Sequence, residues 1–153
     1  MAHELWLLRH GEAEPHGSRH DSDRRLTEHG EREARAAGAA LRALRVVPSV
    51  VFTSPRVRAL QTAQLVCAEL GGEPVVHEPL SGGFTAPEAL TLCTGQETVL
   101  MIGHQPDFGQ IVHDLTGARA DLTTGGVAGL RLDDGGTLLA LLRARALRAI
   151  AER

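Results

Sequence analysis

Short apolar runs alternate with amphipathic stretches along the chain. Leu5-Trp6-Leu7-Leu8 is continuously apolar, which suits a strand buried on both faces. A polar stretch rich in His, Asp and Ser follows from Gly11 to Arg25. Thr27 is placed to cap a helix over about 28–45, with Ala34, Ala37, Leu41 and Leu44 on one face. Val46-Val47-Pro48 breaks it, and 49–53 predicts a second strand. Ser54-Pro55 has the form of a helix start, with Ser at the cap and Pro at the first helical position. That helix is expected to run to Leu70 and stop at Gly71-Gly72. A short third strand is predicted over 74–77. Thr85-Ala86-Pro87-Glu88 has capping-box form before a short helix, and 98–102 predicts a fourth strand. Pro106 opens a helix in which Phe108, Ile111, Val112 and Leu115 fall at i, i+3, i+4 and i+7, and Gly117 ends it. Segments 127–132 and 137–142 flank Asp133-Asp134-Gly135-Gly136, a hairpin signal. The last ten residues fit a short helix or a frayed tail. The alternation predicts an α/β fold: a three-layer α/β/α sandwich, with helices on both faces of a mixed, mostly parallel six-stranded sheet.

Length and composition narrow the function more than the fold. The 153 residues fit a single domain, 1–153, large enough to bury a core without staples. No apolar run approaches the roughly 18 residues that span a bilayer. No basic region precedes the Leu5 run, so no secretory signal is expected. The net charge of −3, with no block of like charges, gives no reason to expect nucleic-acid or membrane binding. Cys67 and Cys93 are expected as buried free thiols in a reducing, cytoplasmic setting. The chain has no lysine, which excludes Schiff-base and P-loop lysine mechanisms, and no tyrosine. A monomer is the default for one small domain.

Three predicted strands end in unusually polar residues: Arg9-His10-Gly11, Thr53-Ser54-Pro55-Arg56 and Gly103-His104-Gln105-Pro106. Ligands of open α/β sheets bind beyond the carboxyl ends of the strands. If these three strands are parallel neighbours, two arginines and two histidines converge there. Planar guanidinium forks suit a tetrahedral oxyanion, phosphate above all. The helix opening at Ser54-Pro55 would add free backbone N–H groups. Neutral imidazole can attack phosphorus, provided its other nitrogen keeps a hydrogen held by an acceptor. Neighbouring cations favour that neutral form. A second histidine, if protonated, donates to the phosphoryl oxygens. Such chemistry needs no metal and no cofactor.

Leu8-Arg9-His10-Gly11-Glu12 resembles the signature of the histidine phosphatase superfamily, the phosphoglycerate-mutase-like fold. Asp23-Arg24-Arg25-Leu26-Thr27-Glu28-His29-Gly30 resembles its R-x-L-T-x-x-G segment, and Thr53 to Ala63 its second block. Met101-Ile102-Gly103-His104-Gln105-Pro106 resembles its third, and with the small size is similar to the short bacterial phosphohistidine phosphatases of the SixA type. The resemblance implies that His10 is the nucleophile, that Arg9 and Arg56 clamp the phosphoryl group, and that His104 completes the pocket and stabilises the transition state. Larger members use an Asp or Glu to protonate the leaving oxygen. Glu78, just past the third strand, stands where the family's glutamate falls and is the candidate acid. Asp107 is a second candidate, better suited to serving a helix N-terminus.

Other residues carry weaker expectations. Arg58 lies two residues from Arg56, about 200° away on a helix, which predicts a surface position. His16 and His20 are spaced i, i+4 beside Gly17 and Ser18, poor for a metal pair but compatible with a pocket mouth. His3, His29, His77 and His113 are expected exposed or at edges, and Gln105 in a turn. Thr124-Gly125-Gly126 resembles a family position where a small polar residue nears the pocket.

Three functions remain open. The first is a phosphohistidine phosphatase acting on a histidine-phosphorylated signalling domain, for which a shallow, open pocket is expected. The second is a hydrolase of small phosphomonoesters or nucleotides, with Arg19, Arg24 and Arg25 as a candidate specificity group. The third is a phosphate- or phosphoprotein-binding module with little turnover. A metallophosphatase is disfavoured, because no carboxylate–histidine cluster has ligand spacing.

Overall fold

In the computed structural model, which describes residues 3–153, six strands form one sheet. They are β1 (Glu4–Arg9), β2 (Val50–Thr53), β3 (Val75–Val76), β4 (Thr98–Gly103), β5 (Val127–Arg131) and β6 (Thr137–Leu142), in the order β3-β2-β4-β1-β5-β6. The pairs β3/β2, β2/β4 and β4/β1 are parallel; β5 runs antiparallel to β1 and to β6. Five α-helices cover the faces: α1 (Glu28–Ala43), α2 (Val57–Leu70), α3 (Ala86–Cys93), α4 (Asp107–Thr116) and α5 (Ala144–Ala151). The expected mixed three-layer sandwich is present, and the C-terminal stretch forms a helix.

The apolar runs of β1 and β4 are continuous because these two strands are central and buried on both faces. Trp6, Leu8, Leu100 and Ile102 pack against Ala37 and Leu41 of α1, Ala59, Ala63 and Val66 of α2, and Leu147 of α5. The alternate residues Leu5, Leu7, Val99 and Met101 pack against Ala89 of α3 and Phe108, Ile111 and Val112 of α4. Among the described residues no helix is long and apolar enough to cross a membrane.

Most helix ends follow the sequence signals. Thr27 accepts from the Gly30 N–H at the start of α1, and Thr85 from the Glu88 N–H at the start of α3. One start does not. Helix α2 begins at Val57, not at Ser54-Pro55. Its cap is Arg56, in extended conformation (φ −62°, ψ 137°), and Ser54 Oγ accepts from the Arg56 N–H at 3.2 Å. The Ser-Pro pair therefore makes the turn off β2, ahead of the helix.

The start of α1 lies hard against the loop after β1. A Cβ on Gly11 would stand 2.4 Å from the Gly30 carbonyl oxygen, and one on Gly30 would stand 2.0 Å from the Glu12 carbonyl oxygen. Only glycine at both positions permits this backbone approach.

Candidate active site

The strand order brings the three polar strand ends together. β4 lies between β2 and β1, with Arg9 opposite Gly103 and Thr53 opposite Ile102. His10, Ser54 and His104 therefore leave the sheet at one level. His10 N–H donates to the Gly103 carbonyl (3.1 Å), Ser54 N–H to Ile102 (3.0 Å), and Gly125 N–H to His10 (2.9 Å).

His10 is buried, with Nδ1 2.7 Å from the Gly11 carbonyl oxygen. A carbonyl can only accept, so Nδ1 carries the hydrogen. Arg58 Nε–H donates to His10 Nε2 over 3.4 Å. The free lone pair is thus on Nε2, the atom beside Arg58. Burial first, then the charges of Arg58, Arg9 and Arg24, push the imidazolium down to about 4, although the Gly11 carbonyl works the other way. His10 is neutral at pH 7.

His104 lies next to it, ring centroids 5.1 Å apart, with Nε2 2.8 Å from Ser54 Oγ. Burial, then His10, Arg58 and Arg56, push its imidazolium down to about 3. Among these cations His104 is neutral at pH 7, so the condition attached to the second histidine, that it be protonated, is not met in the free site.

Arg58 is buried in the site, not on the surface. The expected 200° separation assumed that Arg56 and Arg58 share a helix. Arg56 is the cap, outside the helical phase, so both side chains reach the cavity. Arg56 Nε donates to the Ser81 carbonyl (2.8 Å), and its Nη1 binds Asp21 Oδ2. Arg58 Nη1 donates to the Asp21 carbonyl (2.8 Å), and Nη2 is 3.3 Å from Asp21 Oδ2. Buried Arg24 takes Asp21 Oδ1 through Nε and Nη2, both at 3.0 Å, and the Glu14 carbonyl through Nη1 at 2.7 Å. One carboxylate meets three guanidiniums. Partial burial opposes ionisation at Asp21, but Arg58, Arg24 and Arg56 outweigh it and hold the carboxyl below the usual range. Arg9 Nη1 donates to the Leu122 carbonyl (2.9 Å), while its Nε is buried without an acceptor.

These groups floor an open cavity of ≈ 610 Å³. His16, Gln105 and Thr124 also line it; His20 does not. Gln105 Oε1 accepts from the Gly109 N–H at 2.7 Å. His29 and His113 are exposed, whereas His77 is half-buried between the rings of Phe52 and Phe84. Arg19 and Arg25 are exposed and outside the lining. Among the described residues no group of three or more His, Cys, Asp or Glu side chains is placed to hold a metal ion.

Glu78 is exposed and is not part of the lining; Ser81, from the same short 3-10 turn, is. Asp107 does line the cavity, and its Oδ2 accepts from the Phe84 N–H at 3.2 Å. Glu33 is the carboxyl that burial pushes up. It sits behind the wall, accepting from the Glu12 N–H (2.7 Å) and the Thr124 hydroxyl (3.5 Å).

Sequence reasoning missed Asp21, Thr62 and the central place of Arg24. Arg24 had a signal, as the arginine that leads Arg24-Arg25-Leu26-Thr27. Asp21 and Thr62 had none, since their roles depend on which elements meet.

A family model described as histidine phosphatase superfamily (branch 1) matches residues 5–81, which carry Arg9, His10, Arg24, Arg56 and Arg58. The chain belongs to the histidine phosphatase superfamily. It is 34% identical over 139 residues to an uncharacterized protein of Picosynechococcus sp., covering 84% of each chain. It is also 43% identical over 79 residues to the 2,3-bisphosphoglycerate-dependent phosphoglycerate mutase of Corynebacterium diphtheriae, covering 48% of this chain and 32% of the mutase. Among solved structures, the protein histidine phosphatase SixA complexed with tungstate matches with TM-score 0.85 and 28% identity, over 94% of this chain and 99% of that one. A SixA structure from Nakamurella multipartitia matches with TM-score 0.78 and 26% identity, over 94% and 96%. This histidine phosphatase superfamily member thus has the short SixA-type fold, and its membership supports a phosphatase or mutase activity.

Proposed function

We propose that this histidine phosphatase superfamily member hydrolyses phosphohistidine carried on a protein, by way of a phosphoryl group on His10 Nε2 and without a metal. The observation that carries this reading is the placement of the candidate acids: Glu78 is exposed and outside the cavity lining, and Asp107, which lines it, is engaged by the Phe84 N–H at 3.2 Å. Asp21 and Glu14 are held low, Asp21 by guanidiniums and Glu14 first by the Arg25 N–H. Glu33, the raised one, is behind the wall, and Glu78 is outside it. An alkyl phosphate leaves badly without a donor. A phosphoimidazole whose far nitrogen is protonated leaves as neutral imidazole and needs none.

The His10 Nε2 lone pair forms a bond to phosphorus as the substrate's P–N bond breaks. Arg58, Arg56 and Arg9, all in the cavity lining, hold the equatorial oxygens. Water then attacks phosphorus, its proton passing to a phosphoryl oxygen of the product or to solvent, and the His10 ring leaves. Because Gly11 keeps a hydrogen on Nδ1, the ring leaves as neutral imidazole, ready for the next cycle. The open cavity admits a side chain presented on a protein surface, and the tungstate held by the related SixA is a tetrahedral oxyanion of the expected kind. Buried, free Cys67 and Cys93 fit a reducing cytoplasm.

The test is phosphate release in chelator, wild type beside His10→Ala, from a phosphohistidine-bearing protein and from an aryl phosphate. Release by wild type alone, chiefly from phosphohistidine, is expected. Preference for the aryl ester moves the substrate to small phosphomonoesters. Equal release by His10→Ala removes the mechanism.

A further inference from the structure

We propose that Asp21 is a built-in competitor for the phosphoryl site, whose carboxylate occupies guanidinium donors that phosphate must take over and so weakens retention of the product. This rests on the reading of the cavity as a phosphoryl-transfer site.

The geometry is that of an anion already seated on the arginines. Asp21 Oδ2 is bound by Arg56 Nη1 and Arg58 Nη2, and Oδ1 by Arg24. Arg58 is the residue whose Nε touches the attacking nitrogen of His10. A phosphoryl group on that nitrogen lies beside Arg58, and its oxygens seek the donors that Asp21 holds. Arg56 has few alternatives, because its Nε is tied to the Ser81 carbonyl.

Asp21 is also built to yield. Its side chain is 44% exposed, against 7% for Arg58, so water can take up the carboxylate once it turns away. It stands on a single 3-10 turn, Asp21–Asp23, with no side-chain cap. Arg24 keeps a second anchor on the Glu14 carbonyl, and Arg58 stays fixed in the first turn of α2. The carboxylate can therefore leave while the arginines remain in place. A phosphate dianion brings more charge and a third oxygen to the same donors, so it can displace a carboxylate. It does so against the residual repulsion of that carboxylate, which weakens the bound product.

A positioning role makes the opposite forecast. If Asp21 served to aim the three guanidiniums, its removal would scatter them and weaken phosphate binding. Orthophosphate affinity therefore decides, measured by calorimetry at fixed pH and ionic strength on wild type, Asp21→Asn and Asp21→Ala. Asp21→Ala is included because an asparagine amide could itself donate to phosphate, and thermal melts confirm folding. We expect phosphate to bind both variants about 5-fold tighter or more. We also expect stronger product inhibition, with a lowered KM accompanied by slower release. Equal or weaker binding by the folded variants overturns the competitor role and leaves the phosphatase reading standing. Absence of phosphate binding by wild type and both variants overturns both.

Discussion

Arg58 Nε stands 3.4 Å from His10 Nε2, while the other ring nitrogen of His10 is held 2.7 Å from the Gly11 carbonyl. The two contacts fix the tautomer and put a permanent cation beside the nitrogen proposed as the nucleophile. In the proposed reaction, charge that develops on the phosphoryl oxygens in the transition state develops next to Arg58. Arg58→Ala is expected to lower kcat by roughly 10²–10³, the size of losing one preorganised donor to a developing oxyanion. Arg58→Lys should recover part of this, as a charge without the planar fork. Single-turnover phosphate release on the three proteins checks it. An Arg58→Ala rate within a few-fold of wild type would remove Arg58 from the mechanism.

The two depressed histidines set the acid behaviour. His10 is pushed down to about 4 and His104 to about 3, from an ordinary 6.5. Both bind a proton less readily folded than unfolded. The stability they contribute is therefore fully present above the unfolded value and is lost as pH falls from about 6.5 towards 4 and 3. Melting temperature should drop across that window, and His104→Gln should flatten the drop. The acid limb of the rate, where His10 gains its proton, belongs near 4 rather than 6.5. A limb near 6.5 in kcat/KM, which reports the free enzyme, would mean that His10 titrates as an ordinary histidine.

Much of this was legible in the chain. Continuous apolar runs marked β1 and β4 as central strands, and the polar residues past β1, β2 and β4 marked the site, because parallel neighbours carry their carboxyl ends to one edge. Arg58 was misplaced for a local reason. A helix starting at Ser54 puts Arg56 and Arg58 on different faces, whereas one starting at Val57 puts Arg56 in the cap and turns both inward. Three residues of helix start decided the role of an arginine. Asp21 could not be read as a hub, since Arg56 and Arg58 meet it only after the polar loop folds back over α2, and Arg24, three residues on, is its one local arginine.

The Gly11–Gly30 contact couples stability to geometry. A Cβ at Gly30 would meet the Glu12 carbonyl oxygen at 2.0 Å, so the α1 start and the loop carrying His10 must part. Backbone atoms cannot turn aside as a side chain can. Gly30→Ala should lose about 1–3 kcal/mol or more, read from the urea midpoint, and should lower kcat as well. Gly82→Ala is the control: its added Cβ meets no atom within 4 Å and its backbone is extended (φ 169°), so it should leave stability near wild type.

Glu78 offers a contrast between motif position and placement. It follows β3 as the family's acid does, yet it is exposed and outside the cavity lining. Glu78→Gln should change phosphohistidine turnover by less than about 2-fold, since proton transfer by a positioned acid is worth roughly 10²–10⁴ where it operates. A loss of that larger size would return Glu78 to the chemistry.

Thr62 joins the loop carrying His10 to the helix that carries Arg58. Its hydroxyl accepts from the Gly11 N–H at 3.1 Å and donates to the Arg58 carbonyl at 2.8 Å, fully buried. The same Gly11 supplies the carbonyl that holds His10 Nδ1. Thr62→Val keeps the shape and removes the acceptor, leaving a buried N–H unpaired at a cost of about 1–3 kcal/mol. It also frees the Gly11 peptide to turn, which loosens the grip on the His10 tautomer. The expected result is a fall in kcat with KM little changed, together with a lower melting temperature. Thr62→Ser, which keeps the hydroxyl and drops a methyl, should restore kcat more fully than stability. If Thr62→Ser and Thr62→Val lose kcat equally, the hydroxyl bridge is packing only and the His10 tautomer is held by Gly11 alone.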